Sequence, residues 1–575
     1  MRIFSVTVLC LCYSGILGDL DWWKTANIYQ IYPRSFKDSN GDGIGDLNGI
    51  TERLPYLKDL GIHAVWLSPI FKSPMADFGY DISDFYDIQP EYGTIQDFEH
   101  LLKVAHDLNV RVLLDFVPNH SSDQNEWFIK SANRDPDFVD YYVWRDGKED
   151  SSNPTKRLPP TNWISLFRGS AWKWHEGRGQ FYLHQFAYQQ PDLNYRNPKV
   201  VAQMKDVLRF WLNKGVDGFR IDAVWTVFEI APDSDGNFPD EPLSENSNDP
   251  DDPGYLKHIY TQNQPETVDM VYQWRELLEE FTSKDQNTRL MLTEAYADVD
   301  IVMTYYGDGV RKGSHVPFNF NMITDLHNAS NAVDFHRLIR VWLDKLPKDC
   351  VANWVIGNHD QKRVGSRFGT HRIDVINMML NTLPGISITY NGEEIGMTDV
   401  FMTWEETVDP AACNSNPQIY EGLSRDPART PFQWDDSTSA GFSTNPKTWL
   451  PVSPLYKEVN VKVERSSPKS HYKIYRKLLQ LRRTPTLQKG NVETRTHGEN
   501  VLSITRSLPG EDTYITVVNI GPDHEVVDLR ELFPGRLTFH IISLTSKRRE
   551  GVAVRGPILD LDPHEGVILK GSAFH

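Results

Sequence analysis

The segment Asp217-Gly218-Phe219-Arg220-Ile221-Asp222-Ala223 reads as a short apolar strand that ends in charge. Arg220 and Asp222 are two residues apart, so period-two alternation puts both on one face. Runs of the same texture occur at Asn27–Ile31, Ala64–Leu67, Arg111–Val117, Arg289–Thr293, Val316–Phe320, Asn353–Ile356 and Ile386–Tyr390, giving eight with Gly218–Val224. Between them lie amphipathic helical patterns, clearest at Leu101–Leu108, Val200–Lys214, Val268–Phe281 and Phe335–Leu346. Strands alternating with helices point to an α/β protein with a parallel sheet, and eight such units close naturally into a (β/α)8 TIM barrel. The alternative, an open doubly wound sheet binding a nucleotide, is weakened because the early strands lack a G-x-G-x-x-G turn.

Two stretches break this rhythm. Residues 121–190, rich in Trp, Asn, Gly and Pro, read as a loop-rich subdomain inserted after strand 3. Residues Pro232–Pro265 form another loop-rich insertion full of Asp, Asn and Pro. From residue 490 onward, short strands are expected at Val492–Arg495, Val501–Thr505, Thr513–Val518 and Leu537–Ile541, an all-β C-terminal domain of sandwich type. The expected division is a signal peptide over 1–18, the barrel over 19–120 and 191–489, the inserted subdomain over 121–190 and the β-domain over 490–575. The signal peptide rests on Met1-Arg2, the apolar run Ile3–Leu17 and Gly18. That run is short for a membrane span, so secretion is preferred to an uncleaved anchor.

Composition excludes several partners. The chain has 575 residues, a formal charge of −18, and 27 Phe, 24 Tyr and 16 Trp. A strongly acidic balance does not suit nucleic acid or anionic lipid; it suits a neutral or cationic small ligand. Of four cysteines, Cys10 and Cys12 fall in the signal segment. Cys350 and Cys413 are too few for a disulfide framework or a Cys-type zinc site, and they are expected to stand unbridged on opposite sides of the barrel. Two glycosylation sequons occur, at Asn119 and Asn328. Asn328 is the expected acceptor, because Asn119 lies inside a chemical motif.

That motif is one of several at strand ends: Asp115-Phe116-Val117-Pro118-Asn119-His120, Arg220-Ile221-Asp222, Thr293-Glu294 and Asn358-His359-Asp360. The C-terminal strand ends of a barrel form its active-site face, so Asp115, His120, Arg220, Asp222, Glu294, His359 and Asp360 are expected at one mouth. Several carboxylates beside one Arg push their pKa values apart, keeping one protonated and another ionised. Glycoside cleavage needs that split.

These four blocks resemble those of the α-amylase superfamily of glycoside hydrolases, family 13. Gln190-Pro191-Asp192-Leu193-Asn194 and Ser424-Arg425-Asp426-Pro427-Ala428-Arg429-Thr430-Pro431 look like its oligo-1,6-glucosidase and maltase branch, and within that the secreted insect α-glucosidases. The resemblance implies Asp222 as nucleophile, Glu294 as general acid/base and Asp360 as transition-state stabiliser. It implies Arg220 as the orienting partner of Asp222. Asp77, Tyr80, His120 and His359 would line the glucose subsite, and Arg429 would pair with Asp77 to close the pocket. Asp38-Ser39-Asn40-Gly41-Asp42-Gly43-Ile44-Gly45-Asp46 places oxygen donors at alternate positions around a sharp turn, which suits a hard cation. The twelfth position of this run is Gly49 and not Glu, so it is no EF-hand. The resemblance implies structural Ca²⁺ on Asp38, Asn40, Asp42, the Ile44 carbonyl and Asp46; an Asx-rich turn is the other reading. In the resembled branch, Val after the nucleophile goes with α-1,6 preference and a small residue with α-1,4, so Ala223 implies maltose over isomaltose. The expected function is a secreted, exo-acting, retaining α-glucosidase on maltose, sucrose and short α-1,4 oligosaccharides. A non-enzymatic transporter heavy chain or receptor on this fold would show a membrane span or lack the acids, and a transglycosylating sister would share them.

Overall fold

The computed structural model describes residues 21–153 and 156–572; the expected signal peptide lies outside them. Eight parallel strands form one sheet: β1 (Asn27–Ile31), β2 (Ala64–Leu67), β3 (Arg111–Phe116), β4 (Gly218–Ile221), β5 (Leu290–Thr293), β6 (Val316–Pro317), β7 (Asn353–Val355) and β8 (Ile386–Tyr390). Each pairs with its sequence neighbour, and β8 returns to β1. The remaining seam, between β6 and β7, is stitched by Asn353. Its side chain accepts from the Asn319 N–H at 2.8 Å and donates to the Pro317 carbonyl at 2.6 Å. β6 shrinks to two residues where five were expected, because Pro317 has no N–H to give a ladder.

Each strand is followed by a helix: α1 (Leu47–Leu60), α2 (Ile95–Asp107), α3 (Pro198–Asn213), α4 (Pro265–Asp285), α5 (Val299–Thr304), α6 (Ala332–Lys345), α7 (Ile373–Thr382) and α8 (His471–Leu481). Their starts follow capping chemistry. Asp46 caps α1, Thr94 and Asp97 form a capping box on α2, and Asn331 with Asp334 does the same on α6. The strands are buried on both faces, as a parallel sheet covered by helices requires.

The excursion after β3 leaves and returns at one place. His120 bridges Asp192 and Tyr142 bridges Leu193. Inside it, Trp144–Arg145, Gln180–Leu183 and Trp172–His175 form a small antiparallel sheet. The acidic loop after β4 packs onto it: Phe238 enters the core of Trp163 and Trp172, and Trp163 Nε1 donates to the Pro239 carbonyl at 2.9 Å.

The C-terminal part is all-β. A five-stranded sheet faces the pair Glu525–Asp528 and Ile558–Leu561 across a shared apolar core. Three strands of this C-terminal part escaped the sequence reading: Glu525–Asp528, Ile558–Leu561 and Gly566–Gly571. It is fastened to the barrel by Arg506. This buried guanidinium donates to the carbonyls of Thr382 at the end of α7 and of Thr486, Leu487 and Gly490.

Candidate active site

The chemistry-bearing residues gather at the C-terminal strand ends around a cavity of about 610 Å³. The cavity is lined by Asp77, Tyr80, His120, Asp222, Glu294, His359 and Asp360. At its floor one guanidinium organises three carboxylates. Arg220 Nη1 lies 2.8 Å from Asp115 and 2.5 Å from Asp222, and Nη2 lies 2.6 Å from Glu294. Trp66 lies beneath it, its ring 4.9 Å from the guanidinium carbon. The guanidinium thereby draws the Asp222 and Glu294 carboxyls to one place.

The backbone turns sharply after β4 to make this possible. Ala223 has φ +42°, a left-handed conformation uncommon outside glycine, and its N–H donates to Glu294 Oε2 at 2.9 Å. The turn therefore presents the nucleophile candidate and orients the acid candidate at once.

Burial raises the Glu294 carboxyl to about 8, against the pull of Arg220 and with repulsion from Asp222 and Asp360. Burial likewise raises Asp222, to about 7, and Arg220 again opposes it. Asp360 is different. Burial works to raise it, but the His359 ring, Arg425 and Arg429 outweigh that and hold it well below the usual carboxylate range. Burial keeps His359 itself uncharged near neutrality, so the two guanidiniums carry most of that hold. The site thus contains a firmly ionised carboxylate beside a carboxyl that keeps its proton at neutral pH.

The histidines sit in a defined network. Gln30 Nε2 donates to His359 Nδ1 at 2.8 Å, His359 Nε2 meets the Tyr80 hydroxyl at 2.6 Å, and that hydroxyl donates to Asp115 at 3.2 Å. Tyr80 stacks on His359, with ring centroids 5.3 Å apart. His120 Nε2 lies 3.1 Å from the Tyr80 carbonyl. Asp81 shapes the loop that delivers Asp77, accepting from the N–H groups of Ala76 and Asp77.

One expected pairing is corrected. Arg429 does not pair with Asp77. It is fully buried, donates through Nε to the His359 carbonyl and lies 2.9 Å from Asp360. Asp77 is paired instead by Arg425, at 2.8 Å, and Arg425 also reaches Asp360 at 3.2 Å. A 3-10 turn over Asp426–Ala428 separates the two arginines, and Asp409 clamps the first of them, 2.6 Å from Nη2. Arg425, Asp409 and Gln190, whose Nε2 donates to Asp77 at 3.1 Å, are functional-site residues to which the sequence reading gave no role. For Gln190 and Arg425 the signal was present in the quoted motifs; Asp409 had none.

The loop at Asp38–Asp46 lies away from this cavity. Asp38 accepts from the N–H groups of Asn40, Gly41 and Gly43, Asp42 accepts from that of Ile44, and Asp46 from those of Ser39 and Gly49. Its donors are all oxygen atoms and Gly43 supplies the left-handed turn, a chemistry that suits a hard cation. The carboxylates are nevertheless turned onto backbone N–H groups. Among the described residues, no three His, Cys, Asp or Glu are grouped as a metal site.

Asn119 is buried at 1% exposure, while Asn328 is exposed. Cys350 and Cys413 are free thiols, as expected. Among the described residues, no helix is long and apolar enough to cross a membrane.

The family model described as alpha amylase, catalytic domain, matches residues 30–490. The chain is 52% identical to Maltase A1 of Drosophila melanogaster, covering 99% of this chain and 100% of that one. It is 49% identical to the Salivary alpha-glucosidase of Anopheles gambiae, covering 96% and 93%. Among solved structures, the trehalulose synthase MutB from Pseudomonas mesoacidophila superposes with a TM-score of 0.83 at 35% identity, covering 96% of this chain and 100% of that one.

Proposed function

The chain belongs to the alpha-amylase family and is a glycoside hydrolase, and from that premise we propose a secreted, exo-acting α-glucosidase that releases α-glucose from maltose, sucrose and short α-1,4-linked oligosaccharides. The observation that carries this reading is the pairing of the Asp222 and Glu294 carboxyls on the two Nη atoms of one guanidinium, Arg220, at 2.5 and 2.6 Å. Inverting glycosidases keep their carboxyls roughly 6.5–9.5 Å apart to admit a water, whereas retaining ones hold them about 5–5.5 Å apart. A pair held together on one guanidinium fits the second kind.

In the proposed reaction, Glu294 protonates the glycosidic oxygen while Asp222 attacks the anomeric carbon and forms a covalent glucosyl-enzyme. Glu294, now a carboxylate, takes a proton from the incoming water, which attacks the same carbon and frees Asp222. Arg220 holds Asp222 in line and releases it as the bond forms. Asp360, kept ionised by Arg425 and Arg429, accepts hydrogen bonds from ring hydroxyls and faces the positive charge that develops at the ring. Asp77 and Arg425 grip the far hydroxyls of the same glucose. The names of the insect relatives support the maltose-type substrate, and the salivary relatives together with the apolar run Ile3–Leu17 support secretion. Asn328, exposed, is the proposed glycan acceptor.

The loop of Asp38, Asn40, Asp42, Ile44 and Asp46 is proposed to take a structural Ca²⁺, supported by its all-oxygen donor set. The ion would brace the loop that starts α1 and would play no part in bond cleavage.

The test is the anomer formed first. Proton NMR of maltose hydrolysis should show α-glucose before mutarotation, and Asp222→Asn should abolish turnover while leaving the circular dichroism unchanged. Early β-glucose would overturn the role of Asp222.

A further inference from the structure

A second cavity, about 510 Å³, lies beside the catalytic one and shares a single residue with it, Phe186. The partition between them is thin. On the catalytic side, Arg425 lies over the Phe167 ring with its guanidinium carbon 4.8 Å from the centroid, and Arg425 is the residue that grips Asp77. On the far side, the Phe167 carbonyl accepts from Asn414 Nδ2 at 3.0 Å, and Asn414 lines the second cavity. Phe186 completes the partition edge-on to Phe167, with centroids 5.6 Å apart.

The partition is anchored at both ends. Asn414 directly follows the short helix Pro410–Cys413, whose N-cap is Asp409, the clamp on Arg425. Arg168, next to Phe167, is ion-paired to Asp249 and Asp252 of the acidic loop after β4, and the Gly169 N–H donates to the Asp251 carbonyl at 2.9 Å.

We infer that the Phe167–Phe186 partition, latched by Asn414, is the specificity-determining element that limits cleavage to one terminal glucose, and that the cavity behind it would accept a further glucose unit if it were opened. This deepens the α-glucosidase reading and rests on it, because it places the terminal glucose between Asp222 and the Asp77–Arg425 pair. The chemistry of the second cavity suits a sugar. Trp172 and Tyr188 offer aromatic surface, and Ser170 and Asn416 offer uncharged hydrogen-bonding groups. His184 donates through Nδ1 to the Phe186 carbonyl at 2.9 Å, and burial holds it down to about 4, so its other ring nitrogen is an acceptor for a hydroxyl.

The experiment compares wild type, Phe167→Ala and Asn414→Ala on three substrates: maltose, maltotetraose, and maltotetraose blocked at its non-reducing end by a 4,6-O-benzylidene group. Wild type should hydrolyse maltose, give glucose as the sole initial product of maltotetraose, and leave the blocked substrate untouched. Phe167→Ala should lose activity on maltose, because it removes part of the pocket wall. Its ratio of kcat/KM for blocked over free maltotetraose should rise to at least ten times the wild-type detection limit, with maltose among the first products. Asn414→Ala should move the same ratio in the same direction by less. Should Phe167→Ala fail to fold, as judged by near-UV circular dichroism, Phe167→Leu and Asn414→Ala carry the decision. Folded variants that still yield only glucose and ignore the blocked substrate would overturn the inference, as would a wild type that already cleaves it. The first result leaves the glucosidase reading standing; the second would also remove its exo-acting part. A wild type inert on maltose would overturn that reading and the inference with it.

Discussion

The proton on Glu294 is the most consequential single atom in the proposed site. A group that must donate has to be protonated, and burial raises this carboxyl to about 8. Activity on maltose should therefore rise as Asp222 ionises near 7 and fall as pH rises through about 8, because deprotonation of Glu294 removes the donor. Glu294→Gln should cost at least a hundred-fold on maltose and abolish that alkaline limb. An activated aryl α-glucoside, whose leaving group needs little protonation, should lose much less. Parallel pH–rate profiles on the two substrates provide the check; equal losses would contradict the acid role. Ala223 carries the second prediction at this scale. Val in its place should move the isomaltose-to-maltose ratio of kcat/KM upward, by roughly ten- to two-hundred-fold, since one or two methyl groups discriminate by about 1–3 kcal/mol. The left-handed backbone adds a consequence that sequence spacing did not reveal. A β-branched residue at φ +42° is strained by on the order of 1–3 kcal/mol, so the variant should also unfold at lower denaturant.

Elements differ in how plainly the sequence announced them. The barrel strands were legible because a buried parallel strand is an uninterrupted apolar run that stops at a polar cluster, and Ala64–Leu67 and Ile386–Tyr390 were bounded to the residue. Helix interiors such as Leu101–Asp107 of α2 were legible through their apolar period, although its start at Ile95 behind Thr94 and Asp97 was not read. The long excursion after β8 was not, for it has no period to read. Whether Arg425 or Arg429 reaches Asp77 depends on one 3-10 turn and on Asp409, sixteen residues upstream of Arg425. The thin C-terminal strands escaped because Glu525–Asp528 and Ile558–Leu561 are four residues each, with half-exposed faces. At this scale the loop of Asp38–Asp46 makes a prediction of its own. If it holds Ca²⁺, chelation should lower the melting temperature through linkage, because the ion stabilises only the folded state, while the initial rate on maltose at 25 °C stays within two-fold. An unchanged melting temperature would leave Asp46 as the N-cap of α1, worth about 0.5–2 kcal/mol, and Asp38 as a turn residue. Calorimetry with and without chelator separates the two.

At the level of the whole molecule, the barrel and the β-domain are joined through polar groups that have no water to fall back on. Arg506 satisfies carbonyls on both sides of the junction, and Thr516 donates to the hydroxyl of Thr382 at 2.9 Å. Arg506→Met keeps much of the side chain's bulk but leaves those buried acceptors unpaired. Each such loss costs roughly 1–3 kcal/mol. The variant should unfold at clearly lower urea, with β-domain loosening detected by hydrogen exchange before the barrel opens. Exchange protection unchanged across Gly566–Gly571 would show that apolar contact alone holds the junction.

The two unbridged thiols, Cys350 and Cys413, carry a practical corollary. No covalent cross-link between them has to be formed for the described fold to assemble, so its assembly is indifferent to the redox poise of its surroundings. A version beginning at Asp19 should therefore mature into active enzyme in the reducing cytosol of a bacterial host, unaided by oxidases or isomerases. Its specific activity should be the same whether it is purified with or without dithiothreitol.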